Sequence, residues 1–255
     1  MIRLREVGWR VASLGVGLGM IGLWQFIAWK KFISPVFLPG PIETWRALVE
    51  GFRTGMLGAR TLATVQRMLY GWVLASLLGV GLGAAIGSSR RAREYLAPTL
   101  ELLRPLPASA IVPVGIAFFG LSNSMVIGVV AFGSLWPTLL ATIHGFAAVE
   151  SRLIEVARML KLSRDAILFQ IAFPSALPDI LAAMRLGLIT ALILSVIGEM
   201  LAFQGGLGSQ ILEASRAYRS PELFAGVLVL GMIGLVSNLL LSAFEVRLLR
   251  WRDPH

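Results

Sequence analysis

The stretch Glu155 to Leu181, EVARMLKLSRDAILFQIAFPSALPDIL, is a charged segment set between two long apolar runs. Its composition matters because the chain around it does not look soluble. Of 255 residues, 56% are apolar and only 15% charged, and the mean hydropathy is +0.79. Those values depart from a soluble domain toward a membrane protein with several spans, and a water-soluble enzyme is excluded. Cysteine is absent, which removes disulfides, iron-sulfur sites and thiolate chemistry. The net charge of +9 reads on such a chain as membrane orientation, with no nucleic-acid partner.

A spanning helix needs about 20 mostly apolar residues for a hydrocarbon core of about 30 Å. Six windows fit: Val11 to Trp29, Val65 to Gly87, Leu100 to Gly120, Met125 to Phe146, Ile180 to Phe203 and Leu223 to Phe244. The opening MIRLREVGWR resembles a signal peptide, but the bulky, basic WQFIAWKK offers no small-residue cleavage site, so the first window is expected to stay as a span. Placing both termini in the cytoplasm gathers Arg90, Arg91, Arg93, Arg152, Arg158, Lys161 and Arg164 inside, with Arg3, Arg5, Arg10, Arg247, Arg250 and Arg252. Fewer basic residues then lie outside: Lys30, Lys31, Arg46, Arg53, Arg60, Arg216 and Arg219. The expectation is an all-α, multi-pass protein forming one domain over residues 1–255.

In that topology the opening stretch lies in the inner loop between spans four and five. Ser163 suits an N-cap, Asp165 a first turn, and Pro174 with Pro178 a helix stop, predicting two short helices divided near Lys161 and Leu162. About ten residues of helix make about 15 Å, half the membrane, so both must lie at its boundary. The first helix carries Arg152, Glu155 and Arg158 as a polar stripe, with Leu153, Val156, Ala157 and Leu160 as an apolar one. The second is apolar nearly all round, through Ile167, Leu168, Phe169, Ile171 and Phe173. Two readings stand open on spacing alone: an ordinary amphipathic connector, or a surface that a partner covers.

Glycines 79, 83 and 87 recur on one face of the second window, and Gly15 and Gly19 repeat the spacing in the first, which predicts close helix approach. The run GVGLGA from Gly79 matches part of a dinucleotide fingerprint, but inside an apolar span it has no such context. His144 and His255 are far apart and no metal site is expected. Glu199 is the costliest residue in the spans. It must face protein, pairing with Arg104 or a neighbouring backbone, or face a substrate pathway. Pro105 and Pro107 interrupt the third window after Arg104. Hydroxyls at Ser109, Ser124, Thr138, Thr142, Thr190 and Ser195 either line that pathway or bond back to their own helices. In the first outer loop Pro41 starts a helix with Ile42, Trp45, Leu48, Val49 and Phe52 on one face, lying on the membrane or merely packed.

The inner segment resembles the EAA loop of binding-protein-dependent ABC importer permeases. Glu155, Val156 and Ala157 stand at its Glu-Ala-Ala, Lys161 at its Gly, and Ile171, Phe173 and Pro174 at its Ile and Leu-Pro. FLPGPIETW, RTLATVQRMLYGWVLASLLGVGLGAAIG, LLRPLPASAIVPVGIAFFGLS, AMRLGLITALILSVIGEML and GGLGSQILEASRAYRSPELFAGVLVLG extend the likeness over most of the chain, toward the nitrate, sulfonate, taurine and bicarbonate branch. The resemblance implies the six-span fold of a type I importer permease in a bacterial inner membrane, with cytoplasmic coupling helices over about residues 150–174. It implies a second permease copy, cytoplasmic ATPase subunits and a periplasmic binding protein. ATP and magnesium belong to the ATPase, and this chain, which has no Gly-Lys pair and so no phosphate-binding P-loop, is not itself an enzyme and holds no cofactor.

Arg152, Glu155, Ala157, Arg158, Lys161, Ile167, Leu168, Ile171 and Pro174 are then the expected coupling contacts, and Arg53, Arg60, Arg216 and Arg219 the expected docking charges. Lipid headgroups are the other reading of those arginines. Lysine at the glycine position calls for a left-handed backbone that costs a residue with a Cβ roughly 1 kcal/mol. An ion-gradient-driven transporter or channel is the competing class, and it would need ionisable groups in mid-membrane.

Overall fold

The computed structural model describes residues 2–103 and 106–251, with side chains from residue 15 on. Arg104 and His255 lie outside the described residues, as do the side chains of Arg3, Arg5 and Arg10, and Arg252. Among the described residues there are helices and no strands. In order they are α1 (Ile2–Trp29), α2 (Pro41–Arg53), α3 (Met56–Gly87), α4 (Arg90–Leu103), a 3-10 turn (Ala108–Ile111) leading into α5 (Val112–Phe119), and α6 (Asn123–Ala147). They continue with α7 (Ser151–Met159), α8 (Arg164–Ile167), a π turn (Leu168–Ala172), α9 (Phe173–Ala202), α10 (Leu207–Arg216) and α11 (Ser220–Leu248).

Four of these are long and apolar enough to cross a membrane: Met56–Gly87, Asn123–Ala147, the continuous Arg164–Ala202, and Ser220–Leu248. The third sequence window is not one straight helix. Arg90–Leu103 and Ala108–Phe119 differ in direction by 82° and would make a fifth crossing only if taken together. Pro107 supplies a reason on the described side of the break: it is extended, with φ −67° and ψ 116°, lacks an N–H and restricts the residue before it.

The contacts fall into two compact units. One comprises residues up to Thr61 together with Gln210–Leu230. Here Pro41 opens α2, and the Glu43 carboxylate accepts the Gly40 N–H at 3.3 Å, half of a capping box. Leu48 and Thr44 turn inward while Ile42, Trp45, Val49 and Phe52 stay exposed. The Trp24 indole donates to the Pro39 carbonyl at 2.9 Å, and its ring lies 5.9 Å from that of Phe224.

The other unit comprises Leu62–Ser209 and the residues from Gly231 on. Its framework is the α6–α9 pair, which makes an extensive helix contact among the described residues. Against α6 the predicted glycines of α3 pack as their spacing implies. A Cβ on Gly83 would lie 2.5 Å from Thr142 Cβ, and one on Gly87 2.7 Å from Phe146 Cβ. Gly15 and Gly19 behave differently: added Cβ atoms there would meet open space. The core of the unit is Met68, Val112, Met125, Val126, Val129, Val130, Leu188, Ala191 and Leu194.

Candidate functional site

The segment between α6 and α9 is folded around a closed helix end. Lys161 is left-handed at φ 57°. Its N–H reaches the Arg158 carbonyl at 2.9 Å and the Leu162 N–H the Ala157 carbonyl at 3.0 Å, the paired bonds of a Schellman motif. Two residues on, the Ser163 hydroxyl caps the next helix by accepting the Ala166 N–H at 3.1 Å. A stop and a start thus follow each other within three residues, and the angle between α7 and α8 is set by local hydrogen bonds.

The predicted proline stop is corrected. The second short helix does not end at Pro174 or Pro178 but runs on through α9 to Ala202. The π turn explains how, since the Phe173 N–H bonds the Leu168 carbonyl, five residues back. Pro174 then sits in the first turn of α9, where a missing N–H costs little. Its neighbours are fixed to α6: Ala176 lies against Gly145, where a Cβ would come within 2.7 Å of the alanine Cβ, and the rings of Phe173 and Phe146 are 6.4 Å apart.

What the segment leaves uncovered is apolar. Ala157 is buried, but Leu153, Val156 and Leu160 are exposed, with Met159 at 81% and Phe169 at 66%. Arg152, Glu155 and Arg158 form an exposed polar row beside them. Ile167, Leu168 and Ile171 are half-buried, so the second helix is less open than its composition suggested.

The residues expected along a pathway separate into two groups. Thr138 and Thr142 are buried where α3 meets α6, and the Thr142 hydroxyl donates to its own helix at the Thr138 carbonyl, 2.6 Å away. Ser195 is buried against the Thr64 carbonyl at 3.4 Å, and Glu199 is wholly enclosed. These four are buried in helix contacts in this structure. Ser109 and Ser124 are exposed, while Thr190 is half-buried and bonds back to the Leu186 carbonyl at 3.0 Å. A cavity of about 280 Å³ lies elsewhere in this unit, beside Arg185, Leu188, Leu192, Gly234 and Asn238, and none of the expected pathway residues lines it.

Glu199 has the partner that sequence reasoning missed. Arg67 on α3 donates to one carboxylate oxygen at 2.7 Å, and Asn123 holds the guanidinium from α6 at 2.8 Å. Arg67 lies 132 positions from Glu199, so no local pattern pairs them; the usable signal was the cost of a lone arginine inside an apolar helix. Arg185 is likewise paired, with Glu245 and with Ser242 at 3.4 Å. Of the expected docking charges, Arg53 and Arg216 are exposed, Arg60 is bonded to Glu213 at 3.0 Å, and Arg219 to Glu222 at 2.8 Å. The last two are therefore partly neutralised within their own chain.

The chain resembles known proteins in sequence and in fold. SsuC of Bacillus subtilis (strain 168), named as an aliphatic sulfonates transport permease, is 29% identical over 98% of this chain and 91% of its own. The taurine transport system permease protein TauC of Escherichia coli (strain K12) is 29% identical over 97% and 94%. The nitrate import permease protein NrtB of Synechococcus elongatus is 29% identical over 84% and 81%. Among solved structures, an inward-facing form of the MetNI methionine ABC transporter superposes with a TM-score of 0.65 at 17% identity, over 79% of this chain and 98% of that one, which supports the fold. Residues 75–252, which carry the elbow and the helices it joins, match the binding-protein-dependent transport system inner membrane component, and the chain belongs to that family.

Proposed function

We propose that this chain, one permease domain over residues 1–255, is the pathway-forming membrane subunit of an ATP-driven importer for a small anion such as a sulfonate, taurine or nitrate. Two copies pair in a bacterial inner membrane. Each crosses it six times, counting α1 and the bent α4–α5 pair with the four long helices, with both termini cytoplasmic. A cytoplasmic ATPase binds and hydrolyses ATP with its magnesium, and a periplasmic binding protein delivers the substrate.

The observation that carries this reading is the uncovered apolar face of α7 and Phe169 beside the polar row Arg152, Glu155 and Arg158. A protein does not leave such a patch on a water-facing elbow without a partner. The elbow is also fixed at its bend by the Schellman turn and joined to the span by the packing of α9 on α6, so a push on it moves helices as a body. Ala157 holds α7 to its own chain, Lys161 sets the turn, and Ile167, Leu168, Ile171 and Pro174 carry the segment into the span.

Ser109, Ser124, Thr138, Thr142, Thr190, Ser195 and Glu199 are the pathway candidates, and of these Ser109, Ser124 and Thr190 are not buried. Arg53 and Arg216, with Arg60 and Arg219 through their glutamate pairs, offer charge to the binding protein. The competing ion-gradient reading is weakened because two arginines inside α3 and α9 are engaged: Arg67 with Glu199, and Arg185 with Glu245. The test is reconstitution with the ATPase. Binding-protein-stimulated ATP hydrolysis and substrate uptake that stops without ATP are expected, and uptake driven by an ion gradient alone would refute the proposal.

A further inference from the structure

The cavity of about 280 Å³ lies away from the residues expected along a pathway. It is bordered near the middle of α9 by Leu188 and Leu192, along the middle of α11 from Gly231 to Asn238, and by Met68 of α3. Most of this wall is apolar. Its polar groups are Arg185, Ser237 and Asn238.

The glycines of this wall differ from those of α3, which α6 approaches closely. A Cβ added at Gly231 would meet nothing within 4 Å, and one at Gly234 only the end of the Leu192 side chain, at 3.5 Å. Alanine would favour the helix at both positions, so what the two glycines supply is room beside Leu192. Arg185 supplies an unmatched donor. Its Nη2 donates to Glu245 and, at 3.4 Å, to the Ser242 hydroxyl, while its Nε–H is buried with no acceptor among the described residues. Buried donors in that state are rare in native folds, and each calls for a partner from outside the chain.

The cavity meets the positive side of the ion pair, because Arg185 borders it and Glu245 does not. An arginine inside an apolar helix is costly unless it faces protein or a cavity, and with low-dielectric walls its charge reaches further than in water. A cation would be repelled there. A neutral hydrocarbon would leave the donors of Arg185 and Asn238 unmatched, and a bare inorganic anion would leave the leucine wall unused. We propose that this cavity binds an anion carrying a short alkyl chain, with its head group at Arg185 and Asn238 and its chain along Leu188, Leu192 and Met68. As a statement about cargo this rests on the importer reading above and narrows its anion to one with an apolar chain. A fatty acid from the bilayer shares the same chemistry.

The test uses the complex of permease and ATPase in nanodiscs, titrated with butanesulfonate and followed by saturation-transfer NMR, with thermal unfolding read on each variant. Gly231→Leu, which places a side chain in the cavity from a position with open space, is expected to weaken binding by about tenfold or more while keeping the melting midpoint. Arg185→Gln alone would strand Glu245, so the charge is removed with the double variant Arg185→Gln and Glu245→Gln, which should weaken binding to a similar degree. Nitrate, which lacks the chain, and butanol, which lacks the charge, should each compete about tenfold less well than butanesulfonate itself.

No binding by the parent, unchanged binding in both variants, or nitrate competing as well as butanesulfonate would overturn the proposal. Native mass spectrometry separates the two sources of ligand. A fatty acid carried by the purified parent and missing from Gly231→Leu would support the site but overturn its use by cargo. Uptake that stops without ATP, together with unchanged binding in both variants, would refute the cavity and leave the importer reading intact. Binding lost in both variants of a complex whose uptake runs on an ion gradient alone would refute the importer reading and leave the site standing.

Discussion

The two ends of α9 are built on opposite principles. At the α7–α8 elbow the polar groups are local and satisfied, and the surface left over is apolar: Leu153, Val156, Met159 and Phe169 face outward. At the other end a charged pair is assembled from α3 and α9, and nothing is left over: Arg67, Thr64 and Gly208 use up the carboxylate of Glu199, and Asn123 accepts from the guanidinium. The elbow is incomplete until something covers it, whereas the Glu199 cluster is complete in one chain. Loss at the first should therefore appear in assembly, and loss at the second in the fold.

The largest effect is expected from Arg67→Ala. Leaving Glu199 buried without its cation costs about 3–5 kcal/mol, so the melting midpoint in detergent should fall by many degrees or the chain should fail to accumulate. A midpoint unchanged from the parent would mean that the cluster is solvated and the contrast between the two ends is wrong.

Next in size is an apolar-to-acidic change on the elbow, Val156→Asp. It should weaken capture of the ATPase subunit by tenfold or more, a loss of at least about 1.4 kcal/mol, while the melting midpoint moves by no more than an exposed substitution does, about 0.5 kcal/mol. Glu155→Lys, in the polar row, should lower substrate-dependent hydrolysis without stopping membrane insertion. Normal ATPase binding by Val156→Asp would place the contact on another face.

A paired substitution within α3 sharpens the interior side of the comparison. Gly83→Ala would force a methyl against Thr142 and the Leu139 carbonyl, which lies 2.9 Å from the added Cβ, and overpacking of this kind costs about 1–3 kcal/mol. At Gly81, where nothing lies within 4 Å, alanine should instead stabilise by up to about 1 kcal/mol through helix propensity. Equal melting shifts for the two would deny that the glycine face is a contact.

The smallest effect is expected at Lys161→Gly. The left-handed conformation at φ 57° costs a residue with a Cβ roughly 1 kcal/mol, so glycine should be tolerated with coupling retained. Loss of ATPase stimulation in this variant would show that the ammonium makes a contact of its own.

Sequence reasoning reached the elbow because its determinants are close in the chain. Ser163 caps a helix three residues on, Lys161 occupies the turn that the resemblance marks as glycine, and the charge spacing of Arg152, Glu155 and Arg158 is one helix face. It misjudged Pro174, because a proline reads as a stop unless a π turn shifts the hydrogen-bond register, and that turn is stabilised by Phe173 and Ala176 packing on α6. It left open whether Thr138, Thr142 and Ser195 line a pathway or bond back to their own helices, since a small hydroxyl in an apolar helix has the same signature whether it faces a cavity or a glycine of the next helix.

By itself, then, the sequence determined the helical membrane class, the close-packed glycine face of α3 and the elbow, all of which depend on periodicity and short-range chemistry. Tertiary structure alone decided which cation neutralises Glu199, how α9 continues through two prolines and which hydroxyls are walled in. Those outcomes turn on groups up to 143 positions apart, such as the Leu207 N–H on the Thr64 hydroxyl. The energy that selects such partners is the cost of leaving a buried polar group unmatched, and it arises only once helices have met.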